Sequence, residues 1–237
     1  MLPLILPECI QHLHLTRANS HRKLLAALFI VSAGSCIASE QDKFESQCAK
    51  GAPEACYKAG TYLEYEVGDA VSALPRYSMA CDRNYARACT NLGALYGRGV
   101  GTLPDYQKAA ALYRKGCDGN DMLACANLGD FLLRGIGVPV DTAAGLALYR
   151  KSCGAGDIVA CRDLGIVYVM GKDVAANAAL GATWLQKACD SGSAQACGDL
   201  AYLYHLGTGV RKDSATARRL YEASCRGGYK QACQMVR

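Results

Sequence analysis

Cysteine is the residue type through which this chain could do the most chemistry. Fourteen cysteines occur in 237 residues, and twelve of them form pairs whose members are eight residues apart. The pairs are Cys48 and Cys56, Cys81 and Cys89, Cys117 and Cys125, Cys153 and Cys161, Cys189 and Cys197, and Cys225 and Cys233. Thiols at a fixed spacing can hold a metal, act as nucleophiles or oxidise to disulfides. Zinc sites made from cysteine use short C-x-x-C loops, often completed by histidine. No C-x-x-C occurs here, and His205 is the only histidine after His21. Neither a metal site nor a cofactor is expected. Disulfides remain. Eight residues along one helix span about 12 Å, whereas a bridge needs Cα atoms within about 7 Å. The chain must therefore reverse inside each pair, and Gly119, Gly154, Gly156, Gly192 and Gly227 lie in those gaps. The expected pairing is local. Each bridge would close a short loop worth roughly 2.5 kcal/mol of chain entropy. Such cysteine density suits an oxidising compartment.

Catalytic constellations are sparse. The only S-x-x-K, Ser20 to Lys23, lies in a segment that reads as a removable leader, so it cannot supply a β-lactamase nucleophile to the mature chain. There is no G-x-S-x-G, H-E-x-x-H, Walker A loop or G-x-G-x-x-G. A Ser/His or Cys/His system would have to use His205, which reads as a surface or packing histidine. No catalytic residue is expected. Tyr77, Tyr113, Tyr149 and Tyr221 invite a ligand-platform reading. Their shared repeat position beside core leucines argues instead for inter-repeat packing, and Trp184 reads as core too.

Residues 1–35 read as a signal peptide. Arg22 and Lys23 supply the positive region, Leu24 to Val31 an apolar stretch too short to span a bilayer, and Ser32 to Ser35 a run of small residues. Cys36 follows Ala33-Gly34-Ser35, which resembles a bacterial lipobox, so Cys36 is the expected lipidation site. The lipobox usually carries leucine where Ala33 stands; ordinary cleavage near Ser35 or Ala38 is the alternative. Cys9 leaves with the leader. The expected destination is outside the cytoplasm: periplasm or outer membrane as a lipoprotein, or secreted. Contact with a membrane is expected only through the anchor. The formal charge of +5 comes from 26 basic and 21 acidic residues. Removing Arg17, Arg22, Lys23 and Glu8 with the leader leaves 23 and 20, or +3. That bias is too weak for a nucleic-acid partner.

The elements that must position the cysteines follow from a repeat. Successive pairs are offset by 33 and then four times by 36 residues, a period that means a solenoid or array. Alanine precedes every second cysteine, at Ala55, Ala88, Ala124, Ala160, Ala196 and Ala232. Four residues beyond that cysteine stands Gly60, Gly93, Gly129, Gly165 or Ala201. Asp69, Asp105, Asp141, Asn177 and Asp213 each lie twelve residues before a first cysteine, and Asp and Asn are helix N-caps. A helix B runs from each cap to the cysteine, a turn follows, and a helix A carries the second cysteine. Gly-rich loops such as Gly135 to Pro139 end helix A. The first repeat lacks three residues in this loop, between Leu63 and Asp69.

The helix A motif at Leu92-Gly93, Leu128-Gly129 and Leu164-Gly165 and the G-x-G-V loops at Gly135 to Val138 and Gly207 to Val210 resemble the Sel-one-like repeat (SLR) family. That family is related to the tetratricopeptide repeats. The paired cysteines are similar to its secreted cysteine-rich branch, including the Helicobacter cysteine-rich proteins. The resemblance covers residues 40–237. It departs at Gly171-Lys172-Asp173, at Ala201 and at Trp184. It implies an all-α fold: an α/α superhelical solenoid of helix pairs, stapled by one disulfide per repeat. The expected layout is a signal peptide at 1–35, an N-terminal segment with a leading helix near 40–48 at 36–52, and an array at 53–237. Five A/B pairs, about 53–81, 86–117, 121–153, 157–189 and 193–225, precede a closing helix at 228–237. The function this implies is an exported monomeric scaffold that binds a protein or peptide partner. The alternative, resting on resemblance alone, is a weak penicillin-binding or β-lactamase-type hydrolase.

Overall fold

A computed structural model describes residues 40–171 and 175–236. The leader and Cys36 lie outside the described residues, so the signal-peptide and lipidation expectations fall there too. Every regular element described is a helix. Helix α1 covers 40–49. Then follow α2 (Pro53–Thr61) with a π-helical turn (Tyr62–Val67), α3 (Ala70–Asp82), α4 (Ala86–Arg98), α5 (Tyr106–Asp118), α6 (Met122–Arg134) and α7 (Thr142–Gly154). The chain ends with α8 (Ile158–Met170), α9 (Ala178–Asp190), α10 (Ala194–Leu206), α11 (Ser214–Arg226) and the short α12 (Lys230–Gln234). Even-numbered helices from α2 to α10 are helix A, and the odd-numbered ones from α3 to α11 are helix B. None of the described helices is long and apolar enough to cross a membrane.

The aspartates and the asparagine before each helix B do the capping that their type suggests. Asp105, Asp141 and Asn177 each accept a hydrogen bond at 2.9 Å from the third N–H of the helix, on Lys108, Ala144 and Leu180. Asp69 takes the same bond from Ser72 and Asp213 from Thr216. Each satisfies a donor that the first turn cannot pair internally. At the other end, helix A stops at a left-handed glycine: Gly99, Gly135, Gly171 or Gly207.

All six cysteine pairs are bridged within their own pair, with Cα atoms 4.5 to 4.7 Å apart. The reversal inside each bridge sits at one repeat position, three residues after the first cysteine. Gly51, Asn84, Asn120, Gly156, Gly192 and Gly228 all have φ between 62° and 97° there. Not every glycine in these gaps makes the reversal itself. Gly119, Gly154 and Gly227 do not take the left-handed conformation; asparagine, which tolerates it, fills the role in two repeats. Gly228 turning left-handed and Tyr229 standing extended as N-cap delay the closing helix to Lys230, so it is shorter than 228–237.

The described residues divide into two compact units between Met79 and Ala80. In the first unit, helix A runs on as the π-helical turn to a left-handed Gly68, and Asp69 caps the next helix immediately. The missing three residues are thus a larger change than a trimmed loop. Five connector residues are gone, and helix A is two residues longer than in the repeats that follow. The ring of Tyr77 lies where a Cβ on Gly60 would be, 2.8 Å away, so only glycine lets these two helices cross so closely.

In the second unit, consecutive helix pairs pack as a solenoid. Ala88, Ala124, Ala160 and Ala196 are 0% exposed, which is why the residue before each second cysteine stays small. Leu92, Leu128, Leu164 and Leu200 bury one face of each helix A, and a continuous core runs through α6 to α10. Buried hydroxyls close the stack: Ser152 donates to the Met122 carbonyl and Ser224 to the Ala194 carbonyl. The second glycine of the G-x-G-V loop holds one repeat against the one before it. A Cβ on Gly137 would sit 2.4 Å from the Tyr106 carbonyl at the start of α5, and one on Gly209 2.3 Å from Ala178 at the start of α9.

Candidate functional site

The residues singled out in the sequence are distributed as follows. All twelve repeat cysteines are consumed in bridges, and no free cysteine stands among the described residues. No group of three or more His, Cys, Asp or Glu among those residues is placed to hold a metal ion. His205 is exposed near the end of α10 and shares a shallow cleft of 230 Å³ with Ser214, Arg218 and Tyr221. Tyr77, Tyr113, Tyr149 and Tyr221 are all buried. The Tyr113 ring packs on Gly93 of α4 and edge-on to Phe131 of α6, so it joins two repeats. Trp184 packs against the central core with the Lys187 ammonium 5.6 Å over its ring.

The structure brings together a set that the sequence reading left unassigned. Two residues after each second cysteine of the second unit's full repeats stand Asn91, Asn127, Asp163 and Asp199. Each is half-buried, between a buried cysteine and a buried leucine. Residues three and seven further on share that face of a helix. They are Ala94 and Arg98 on α4, Asp130 and Arg134 on α6, Ile166 and Met170 on α8, and Tyr202 and Leu206 on α10. The positions flanking the ladder thus change from carrying an arginine, Arg98 or Arg134, on α4 and α6 to wholly apolar on α8 and α10, where Met170 is 71% and Tyr202 53% exposed.

Charge on this face is tied together across repeats. Asp130 pairs with Arg134 at 3.1 Å within α6. Arg162 of α8 reaches Asp199 of α10 at 2.6 Å and Asp163 beside it at 3.7 Å. One guanidinium therefore serves two carboxylates. Burial pushes the Asp163 carboxyl above its ordinary value; Arg162 opposes that, while Asp130, Asp157 and Asp199 reinforce it. Helix B contributes from below. Burial raises the Tyr149 phenol above its usual range, with Asp130 and Asp163 adding to the rise. Burial raises Tyr113 the same way, with Arg98 of α4 opposing the rise and Asp130 of α6 adding to it. Nothing in this arrangement resembles a nucleophile with its base. It is a long, half-buried polar face, suited to hydrogen bonding and ion pairing with an elongated partner.

The signal for this face is present in the sequence, because the ladder keeps the cysteines' own 36-residue register. Its two asparagines followed by two aspartates look like an ordinary solvated surface until burial is known.

A family model for the Sel1 repeat matches residues 53–84, 86–121, 123–157, 158–193 and 194–229. The chain belongs to the Sel1 repeat family. Among solved structures, it is similar to a Sel1 repeat protein from Oxalobacter formigenes, at 26% identity over 79% of this chain and 76% of that one, with a TM-score of 0.72. The immunity protein Pa5087 from Pseudomonas aeruginosa matches at 27% identity over 76% of this chain and 67% of its own, with a TM-score of 0.52. Helicobacter pylori cysteine rich protein B is 29% identical over 59% of this chain and 98% of its own, with a TM-score of 0.45. No curated protein matches the chain. Sel1 repeat proteins are typically protein-interaction scaffolds and generally non-catalytic.

Proposed function

We propose that this Sel1 repeat chain is an exported scaffold that binds a protein or peptide partner along the helix A face of its second unit. The observation that carries the reading is the half-buried ladder of Asn91, Asn127, Asp163 and Asp199, one polar residue per repeat on a rigid stack. Equivalent groups repeated along a solenoid suit an extended ligand better than a compact substrate. Export is supported by the six disulfides, by Arg22-Lys23 ahead of the apolar Leu24 to Val31, and by the lipobox-like run before Cys36. The mature protein should partition into detergent and cease to do so in Cys36→Ser.

The binding test places a photo-cross-linking residue at Asn127 or Tyr202 on the helix A face and, as control, at Lys151, exposed on helix B. Saturable cross-linking of one envelope protein at the first two positions and not at the third is the expected result. Equal labelling at all three would remove the face from consideration. Nitrocefin turnover by the oxidised protein near about 10 s⁻¹, an ordinary enzyme rate, would overturn the scaffold reading in favour of hydrolysis.

A further inference from the structure

The repeat position occupied by Tyr77, Tyr113, Tyr149, Leu185 and Tyr221 is chemically uneven in one respect. The Tyr77 hydroxyl donates to Glu64 at 2.9 Å. Leu185 has no hydroxyl. The Tyr221 hydroxyl is sealed inside the protein without a partner. Tyr113 and Tyr149 differ from all three. They are 6% and 4% exposed, and neither hydroxyl makes a hydrogen bond within the described residues. Neither is sealed among the occluded, unpaired atoms, so each hydroxyl opens onto the surface. The Tyr113 ring lies edge-on to Phe131, the neighbour of Asp130. The Tyr149 ring lies against Gly129, Asp130's other neighbour, and shares a core cluster with Leu164, the neighbour of Asp163. The Asp130 charge acts on both phenols and that of Asp163 on Tyr149. A phenol whose ring is buried while its hydroxyl reaches the surface with the donor unspent holds that donor in a fixed place, ready for a ligand's acceptor.

Of the two carboxylates on this part of the face, Asp163 is short of positive charge. Arg134 answers Asp130. Arg162 lies 2.6 Å from Asp199 and only 3.7 Å from Asp163, which leaves Asp163 the weakly paired member in a partly desolvated place. A half-buried carboxylate without full compensation is costly, and an incoming cation would relieve it.

We infer that the helix A face between α6 and α8 takes a lysine or arginine side chain of an extended partner segment at Asp163 and Asp130, while the Tyr113 and Tyr149 hydroxyls donate to that segment's backbone carbonyls. The inference rests on the scaffold reading and narrows it to a cationic, extended segment. The spacing agrees. Packed helices lie about 8–10 Å apart, so an extended chain at about 3.3 Å per residue passes one repeat in about three residues. Two phenol donors 36 residues apart in sequence thus meet carbonyls of one short segment.

The test selects a bead-displayed library of random nonapeptides on the oxidised full chain. Enriched peptides should share one position held by Lys or Arg, and replacing that residue with norleucine should weaken binding about ten-fold, as for loss of a charge-assisted hydrogen bond. Asp163→Asn should cost the same factor against the original peptide and nothing further against the norleucine peptide, with an unchanged or higher melting temperature. Tyr149→Phe, which removes only the unspent hydroxyl, is the second variant and should weaken binding about three-fold or more. Enrichment without a cationic position, or full affinity in both variants, overturns the inference. So does a library that yields nothing while a folded envelope protein still cross-links at Asn127; in that case the scaffold reading stands and this one falls.

Discussion

The first helix pair, α2 and α3, and the later pair α6 and α7 share a staple and differ in their connector. Cys48–Cys56 leads into α2 and Cys117–Cys125 into α6, with Cα atoms 4.5 and 4.6 Å apart. Helix B of each pair begins at a capping aspartate, Asp69 or Asp141. Between these constants, the first pair runs its helix A to Gly68 and turns at once. The later pair stops at Gly135 and inserts a loop whose Gly137 lies against the start of α5. The bridge and the cap therefore make a helix pair, and the loop is a separate device that seats one pair on its predecessor.

The largest effect should come from the shared device, and it should be the same in both places. Replacing Cys117 and Cys125 with serine should destabilise the chain by about 2–4 kcal/mol, from the lost loop constraint and the burial of two hydroxyls. Cys48 and Cys56 replaced together should cost about as much. Denaturant melts of both double variants check this, and unchanged melting of the parent protein in strong reductant would sink it.

The connector should then separate the two pairs. Gly137 has φ 67°, and an added Cβ would stand 2.4 Å from the Tyr106 carbonyl. Gly137→Ala combines a left-handed alanine with overpacking against backbone, together about 3 kcal/mol. Gly68 has φ 78°, but nothing within 4 Å of the added Cβ. Gly68→Ala should cost only the conformational part, about 1 kcal/mol. Equal losses in the two variants would mean that the loop glycine serves the turn alone and does not seat the repeat.

Much of the architecture was legible because its signals are residue identities at fixed intervals: cysteine, the alanine before it, the capping aspartate. The connector of the first pair was not. A deficit of three residues has the same length whether a loop is trimmed or is lost and partly repaid by a longer helix. Tyr62 to Val67 contain no helix breaker, so helix A continues until Gly68 and widens into a π turn. Which residue of the turn goes left-handed was not legible at Asn84 and Asn120, where asparagine takes the conformation that glycine takes in the other repeats. The candidate site was the least legible part. Asn91, Asn127, Asp163 and Asp199 recur in register, but only tertiary placement shows that they are half-buried.

The smallest effect concerns charge, and it contrasts Asp163 on the helix A face with Asp213, the N-cap of α11. The Thr216 side chain and backbone hold the Asp213 carboxyl below its ordinary value. Its contribution is present above the unfolded-state value and fades as pH falls through the folded one. Asp163 has the opposite sign, because burial raises it. A raised carboxyl binds its proton more readily in the folded chain, so stability falls as pH rises from the ordinary carboxylate value through the raised one. At neutral pH the desolvated charge is a standing cost. The Asp163 side chain keeps 38% of its exposure, so solvent screens that cost to less than about 1 kcal/mol. Asp163→Asn should therefore be as stable as the parent or slightly more stable at pH 7, with the difference shrinking as the pH is lowered through the Asp163 titration. Paired denaturant melts at several pH values measure it. A variant clearly less stable than the parent at pH 7 would show that Asp163 is kept for its bond to Arg162 and not for a ligand.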